Sequence, residues 1–234
     1  MKMNKRKLKN HLINVENNIK KATDKAGRNR SEIKLVAVGK NHLAKKIEFF
    51  KEQGINTFGE NRVQELRRKN NKIEKNIEWH FIGHLQRNKV KYLTRMKSCK
   101  MIESLDSPRL AKEINKRARK QDRVMPVLVE VNTSEDENKY GFMAENTIDF
   151  IKEAENKYNN ISIEGLMTIV PYVEDPEEVR PYFRKLYELK ERANKQGLKL
   201  KELSMGMTND YMVAIEEGAT IVRIGTALFG KRKY

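Results

Sequence analysis

Lys40 carries the most distinctive chemistry in this chain. It follows Leu35-Val36-Ala37-Val38-Gly39, an apolar, partly β-branched run that reads as a strand buried on both faces. A lysine at the C-terminal tip of such an inner strand is partly desolvated. Burial disfavours the ammonium and leaves a nucleophilic amine, the chemistry of a Schiff base with a carbonyl. A lone lysine is also compatible with a stem that leaves the sheet and a head in water. The other strand ends shift the balance: Asn61, His80, Asn132, Met167, Ser204 and Arg223 stand at the ends of further strand-like runs. Ser204-Met205-Gly206-Met207-Thr208 and Arg223-Ile224-Gly225-Thr226 add small and hydroxylic residues, which let backbone N–H groups and hydroxyls approach an anion. Singly, Gly225 reads as a turn glycine and Ser204 as a helix cap; together they read as a phosphate cradle.

The elements that must position these groups alternate. Strands are expected at 34–39, 55–61, 77–83, 100–104, 125–132, 162–167, 202–205 and 220–225, with helical or turn segments between them. Leu8, Leu12, Val15, Ile19, Ala22 and Ala26 recur at helical spacing and predict an amphipathic helix covering the barrel floor, followed by a turn at 27–31. Helices are expected at 43–53, 62–72, from His84 to about Met96, from Ser107-Pro108 onward, up to about Tyr158, at 182–196 and at 210–217. Eight strand–helix units predict an α/β fold, a single (β/α)8 barrel whose site lies at the C-terminal strand ends. An open doubly wound sheet competes less well, because no Gly-x-Gly-x-x-Gly follows the first strand.

Bulk properties narrow the function classes. The chain has 234 residues, one cysteine (Cys99) and no apolar run long enough for a bilayer. A disulfide framework is excluded, and a cytoplasmic protein with no membrane association is expected. Lys and Arg number 49 against 32 acidic residues, a net +17, yet the positive charges are scattered without interleaved aromatics. Weak non-specific polyanion binding is expected, with no specific nucleic-acid partner. No metal site is expected. An imine-forming lysine across a cavity from a phosphate cradle suits a phosphorylated carbonyl compound. Either a sugar-phosphate aldolase or a pyridoxal 5'-phosphate (PLP) protein satisfies that description. Arg223 helps to separate them: facing a pyridine nitrogen, a guanidinium keeps that nitrogen unprotonated and weakens the ring as an electron sink, whereas an aldolase needs no cation there beyond phosphate binding.

The motifs Ala37-Val38-Gly39-Lys40, Phe58-Gly59-Glu60-Asn61 with Val63-Gln64-Glu65, Trp79-His80-Phe81-Ile82-Gly83, Leu203-Ser204-Met205-Gly206-Met207 and Val222-Arg223-Ile224-Gly225-Thr226 resemble the PLP homeostasis protein family. The resemblance runs from about Lys34 to the C-terminus. It implies residues 1–234 folded as one alanine racemase N-terminal-like barrel of fold type III, with residues 1–30 as an extra N-terminal helix packed on it. It also implies that Lys40 carries PLP as a Schiff base, that Ser204, Gly225 and Thr226 hold the phosphate, and that Arg223 faces the pyridine nitrogen. Asn61, His80 and Met167 would line the pocket. Two departures stand out: Gly39 replaces the family's usual Ser or Thr, and His42 stands where many members have a second lysine.

The function implied is intracellular PLP (vitamin B6) homeostasis, with the cofactor buffered or delivered to apo PLP-dependent enzymes by a monomer. The alternative is a PLP-dependent enzyme with weak amino-acid racemase activity. A racemase needs acid/base groups on both faces of the ring, and the second comes from an additional domain that this sequence is not expected to contain. Lys139, in the acidic loop 135–141, is a candidate second amine that takes up PLP transiently during transfer.

Overall fold

The computed structural model describes residues 3–73 and 76–231; the outermost positions of the expected domain, 1–2 and 232–234, lie outside the described residues. Eight strands are found among them: β1 (Lys34–Val38), β2 (Thr57–Glu60), β3 (Glu78–Phe81), β4 (Cys99–Leu105), β5 (Met125–Glu130), β6 (Ile161–Met167), β7 (Glu202–Ser204) and β8 (Ile221–Ile224). Each pairs in parallel with its sequence neighbours, and β8 pairs with β1, so the sheet closes into a barrel in chain order as expected.

Alternation along the strands sorts the side chains into layers. Ala37, Phe58, Trp79, Ile102, Val127, Leu166, Leu203 and Val222 face the surrounding helices and join the large outer core. Val36, Met101, Leu128, Met167 and Ile221 pack together inside the barrel. Burial of each such side chain is worth roughly 1.5–3 kcal/mol. The barrel interior also takes a polar set, His80, Glu103, Ser204 and Arg223, all at most 3% exposed. One close approach admits only glycine: a Cβ on Gly165 in β6 would lie 1.9 Å from the Glu202 carbonyl oxygen of β7.

The outer helices are α2 (Ala44–Glu52), α3 (Val63–Asn70), α4 (Val90–Arg95), α5 (Pro108–Arg119), α6 (Ala144–Lys157), α7 (Arg180–Lys195), α8 (Tyr211–Glu216) and α9 (Thr226–Phe229). Local chemistry explains their ends. Ser107 accepts a hydrogen bond from the Leu110 amide as N-cap of α5, with Pro108 in the first turn. The helix expected from His84 begins later, after a 3-10 turn at Arg87–Lys89. His84 Nδ1 is bound to Asp106 at 2.8 Å and its ring stacks on Tyr140, which holds the segment before the turn extended.

The N-terminal helix α1 (Lys5–Lys25) buries Leu8, Val15, Ile19 and Ala22, the stripe expected from its spacing. Its place differs from the expected floor. It lies along α8 and α9, with Asn18 donating to the Tyr211 hydroxyl and His11 hydrogen-bonded to the Leu228 carbonyl. The helix after β8 has four residues, so α1 completes the outer ring beside it. No described helix is long and apolar enough to cross a membrane.

Candidate functional site

Lys40 stands two residues beyond β1, in a tight turn from Gly39 to His42 closed by the His42 N–H donating to the Gly39 carbonyl at 2.9 Å. Asn41 has φ 63°, the left-handed conformation that asparagine tolerates better than most residues. The turn leaves Lys40 half-buried, less enclosed than a residue within the strand would be. It faces a cavity of about 510 Å³ at the C-terminal end of the barrel. Asn61, Arg223, Gly225 and Thr226 line the same cavity, together with His42, Thr208 and Asp210. An apolar wall comes from the loop after β6, through Ile169, Pro171 and Val173.

Five of the eight residues expected at the site therefore meet in one cavity: Lys40, Asn61, Arg223, Gly225 and Thr226. The other three lie deeper. Met167 is fully buried among the apolar residues of the barrel interior. His80 and Ser204 belong to a hydrogen-bonded chain beneath the cavity. His80 Nδ1 lies 2.5 Å from Glu103 Oε1, the Ser204 hydroxyl donates to Glu103 Oε2 at 2.5 Å, and Arg223 Nη1 donates to Ser204 Oγ at 2.6 Å. Arg223 Nη2 donates to the Thr168 carbonyl at 2.7 Å. The Ser204 hydroxyl is thus committed between a carboxylate and a guanidinium, beneath the cavity on which it was expected to meet an anion. Asn132 is likewise engaged within its own loop, donating to the Asp136 carbonyl.

The next turn adds a hydroxyl to the cavity lining. Gly206 has φ 90°, and a Cβ there would come within 2.6 Å of the Ala214 side chain. The chain bends at that glycine, and Thr208 reaches the cavity beside Thr226. The Met207 amide donates to Asp210 Oδ1 at 2.6 Å, which fixes this bend. Gly225 and Thr226 open α9, so their amides have no helix carbonyl to bond.

Burial pulls the Arg223 guanidinium below its usual range, opposed by the charges of Glu103, Glu130 and Asp210. Burial alone would raise the Glu103 pKa, but the hydrogen bond from His80, the charge of Arg223 and the Ser204 hydroxyl hold it below the ordinary carboxylate value. Glu130, also buried, is pushed up to about 7 by desolvation and by Asp106, against the attraction of Arg223. Asp210 is raised by burial, with its Met207 bond and Arg223 opposing.

A second cluster lies outside the barrel wall, under the Lys40 turn. Lys69 of α3 is 3% exposed and is paired with the fully buried Glu60. Desolvation pushes Glu60 up to about 7 despite Lys69, and its Oε2 has no hydrogen-bond partner. Sequence reasoning missed Glu103 and Lys69, and took in Thr208 only as part of the loop read as a cradle. Only the hydroxyl of Thr208, in the quoted loop, offered a signal.

Residues 11–233 match the family model of the alanine racemase N-terminal domain. The pyridoxal phosphate homeostasis protein of Aquifex aeolicus is 48% identical over 225 residues, covering 95% of this chain and 97% of its own. The human protein of the same name is 39% identical over 213 residues, covering 86% and 77%. Among solved structures, Synechococcus elongatus PipY with PLP bound superposes with a TM-score of 0.78 at 31% identity, covering 85% of this chain and 93% of PipY. Alanine racemase from Clostridium difficile shares the fold at a TM-score of 0.71 and 16% identity, over 97% of this chain and 56% of the enzyme. A barrel of fold type III with a lysine and an arginine on one cavity, matched over nearly its whole length by such relatives, belongs to the pyridoxal phosphate homeostasis protein family.

Proposed function

We propose that this protein holds PLP as a Schiff base on Lys40 and acts in intracellular PLP homeostasis, buffering the cofactor or delivering it to apo-enzymes. The observation that carries the reading is that Lys40, Arg223 and the Thr208–Thr226 cradle line one cavity of about 510 Å³, within the range of small-ligand sites. The donor set fits the cofactor: an amine for an aldehyde, hydroxyls and the amides that open α9 for a phosphate, and a cation for a pyridine nitrogen. When bound, PLP supplies an electrophilic carbonyl carbon and a conjugated ring.

The chain's own residues have distinct tasks. Lys40 provides the amine. Thr208, Gly225 and Thr226 grip the phosphate, Arg223 is assigned to the ring nitrogen, and Asn61 and His42 line the cavity. Ser204, Glu103 and His80 hold Arg223 in place from below, and Met167 forms part of the apolar packing under them. A guanidinium donates hydrogen bonds and keeps its proton, so the ring nitrogen stays unprotonated and carbanion chemistry is muted. This favours holding over turnover. In this reading Lys139, whose Nζ is 3.4 Å from the carbonyl of the cavity residue Ile169, assists transfer at the rim.

The working unit in this reading is a cytoplasmic monomer, and its protein partners are apo PLP-dependent enzymes. Incubating the PLP-loaded protein with L-amino acids, and separately with an apo-enzyme, tests the reading. Restored activity of the apo-enzyme without change of amino-acid chirality is expected. Sustained racemisation would instead establish the enzyme alternative.

A further inference from the structure

Lys40 does not hang from an unconstrained loop. The turn that carries it is tethered on both sides of the lysine to helix α3. On one side, the Gly39 carbonyl accepts from Lys69 Nζ at 2.7 Å, in addition to the His42 amide that closes the turn. On the other, the Asn41 amide donates to Glu65 Oε1 at 2.7 Å. Lys69 and Glu65 are themselves joined at 2.8 Å, one helical turn apart. The third acceptor of Lys69 is the buried carboxylate of Glu60, at the end of β2. Three ammonium protons thus meet three acceptors, one from each element around the turn.

We infer that Lys69 and Glu65 are positioning residues for Lys40, fixing the peptide groups on either side of it so that its stem starts toward the cavity. A buried ion pair is a poor way to stabilise a fold, because desolvation offsets most of the attraction. Its value here is directional. The hydrogen bonds from α3 hold the carbonyl preceding Lys40 and the amide following it; the turn is also held by its closing bond, by the Gly39 amide donating to the Gly59 carbonyl at 3.1 Å, and by the His42 ring stacked on Phe229. Capture of a carbonyl by an amine depends steeply on such placement: a displacement on the order of 1 Å can cost about 100-fold in rate. This assignment rests on the proposed attachment of PLP to Lys40.

The test compares the cofactor-free wild type with Lys69→Met, Glu65→Leu and Glu65→Gln. Hydrogen exchange of the amides at 39–42 reads the tether without any cofactor. PLP capture, followed by stopped-flow absorbance, reads its consequence. Glu65→Leu removes the acceptor for Asn41; its amide is expected to exchange at least about tenfold faster, with β5 and β6 unchanged. PLP capture is expected to slow by about ten- to a hundredfold in Glu65→Leu and Lys69→Met. Glu65→Gln keeps an acceptor oxygen and is expected to restore most of both. If Lys69→Met does not fold, the Glu65 pair carries the test. Wild-type capture rates in Glu65→Leu would overturn the inference, as would unchanged exchange at Asn41. If the wild-type protein attaches PLP at another residue, the proposed function fails, while the exchange data still decide whether the tether exists.

Discussion

Arg223 donates a 2.6 Å hydrogen bond to the hydroxyl of Ser204, which lies wholly inside the barrel. That hydroxyl in turn donates to Glu103, itself bonded to His80. A guanidinium buried at the base of a cavity is costly unless its charge and its protons are satisfied. Here Nη1 and Nη2 each have an acceptor, while burial still pulls the guanidinium below its usual range against the attraction of Glu103, Glu130 and Asp210.

The Ser204 arrangement separates two roles that the motif leaves merged. Ser204→Ala leaves Arg223 and Glu103 each short of a partner and is expected to cost about 1–3 kcal/mol of stability. If Ser204 acts through Arg223, the variant weakens PLP and pyridoxal by the same factor, since pyridoxal lacks only the phosphate. Thr226→Ala is expected to weaken PLP selectively, by about tenfold or more, the worth of a hydrogen bond to a charged group. Titrating both ligands into both variants checks this. A PLP-selective loss in Ser204→Ala would return that hydroxyl to the cradle.

Glu130 makes stability depend on pH in a defined direction. Its folded pKa is about 7 against an ordinary 4.5. Between those values the folded chain binds a proton that the unfolded chain has released, so this contribution is lost as pH rises from about 4.5 to 7 and is flat above. Glu130→Gln mimics the protonated side chain and removes the loss. Denaturation at pH 5 and pH 8 should show the variant gaining on wild type at the higher pH. Glu60, also near 7, acts in the same sense and leaves a residual slope in the variant. Parallel curves would show that Glu130 is not responsible.

Gly165 is required by contact rather than by backbone angle. The Cβ of alanine would sit 1.9 Å from the Glu202 carbonyl oxygen across the β6–β7 pair. Gly165→Ala must spread the two strands beside Ser204, and a loss of at least about 3 kcal/mol is expected, the upper range for overpacking. Thermal unfolding reads it; a melting temperature equal to wild type would contradict the close approach.

Much of this architecture was legible in the sequence, for a simple physical reason. Apolar runs of strand length separated by amphipathic segments specify a barrel, and Lys40 and Arg223 end or interrupt such runs. What could not be read was which residue of a strand end reaches the cavity. β7 is only three residues long, and the left-handed bend at Gly206 carries the chain on to Thr208. That bend leaves Ser204 below. Lys69 belongs to a polar helix, and no neighbour in the sequence marks it as buried. Its burial depends on Glu60, which belongs to a different element and is joined to it only in three dimensions. Glu103 was hidden for the same reason, since its partners lie on β3, β7 and β8.

Lys139 provides a kinetic prediction. Its ammonium bonds to the Ser134 hydroxyl and reaches the Ile169 carbonyl at the cavity rim, and burial lowers its pKa. Lys139→Ala is expected to bind PLP as wild type does but to deliver it to an apo-enzyme severalfold more slowly. The rate of apo-enzyme reactivation measures this, and an unchanged rate would remove Lys139 from the transfer step.

The central claim concerns one amine. The PLP-loaded protein should be reduced with borohydride, digested and mapped by mass spectrometry. A pyridoxyl group on the peptide containing Lys40, absent from Lys40→Ala, is the predicted result. A label on a different lysine, or equal labelling of Lys40→Ala, would contradict it.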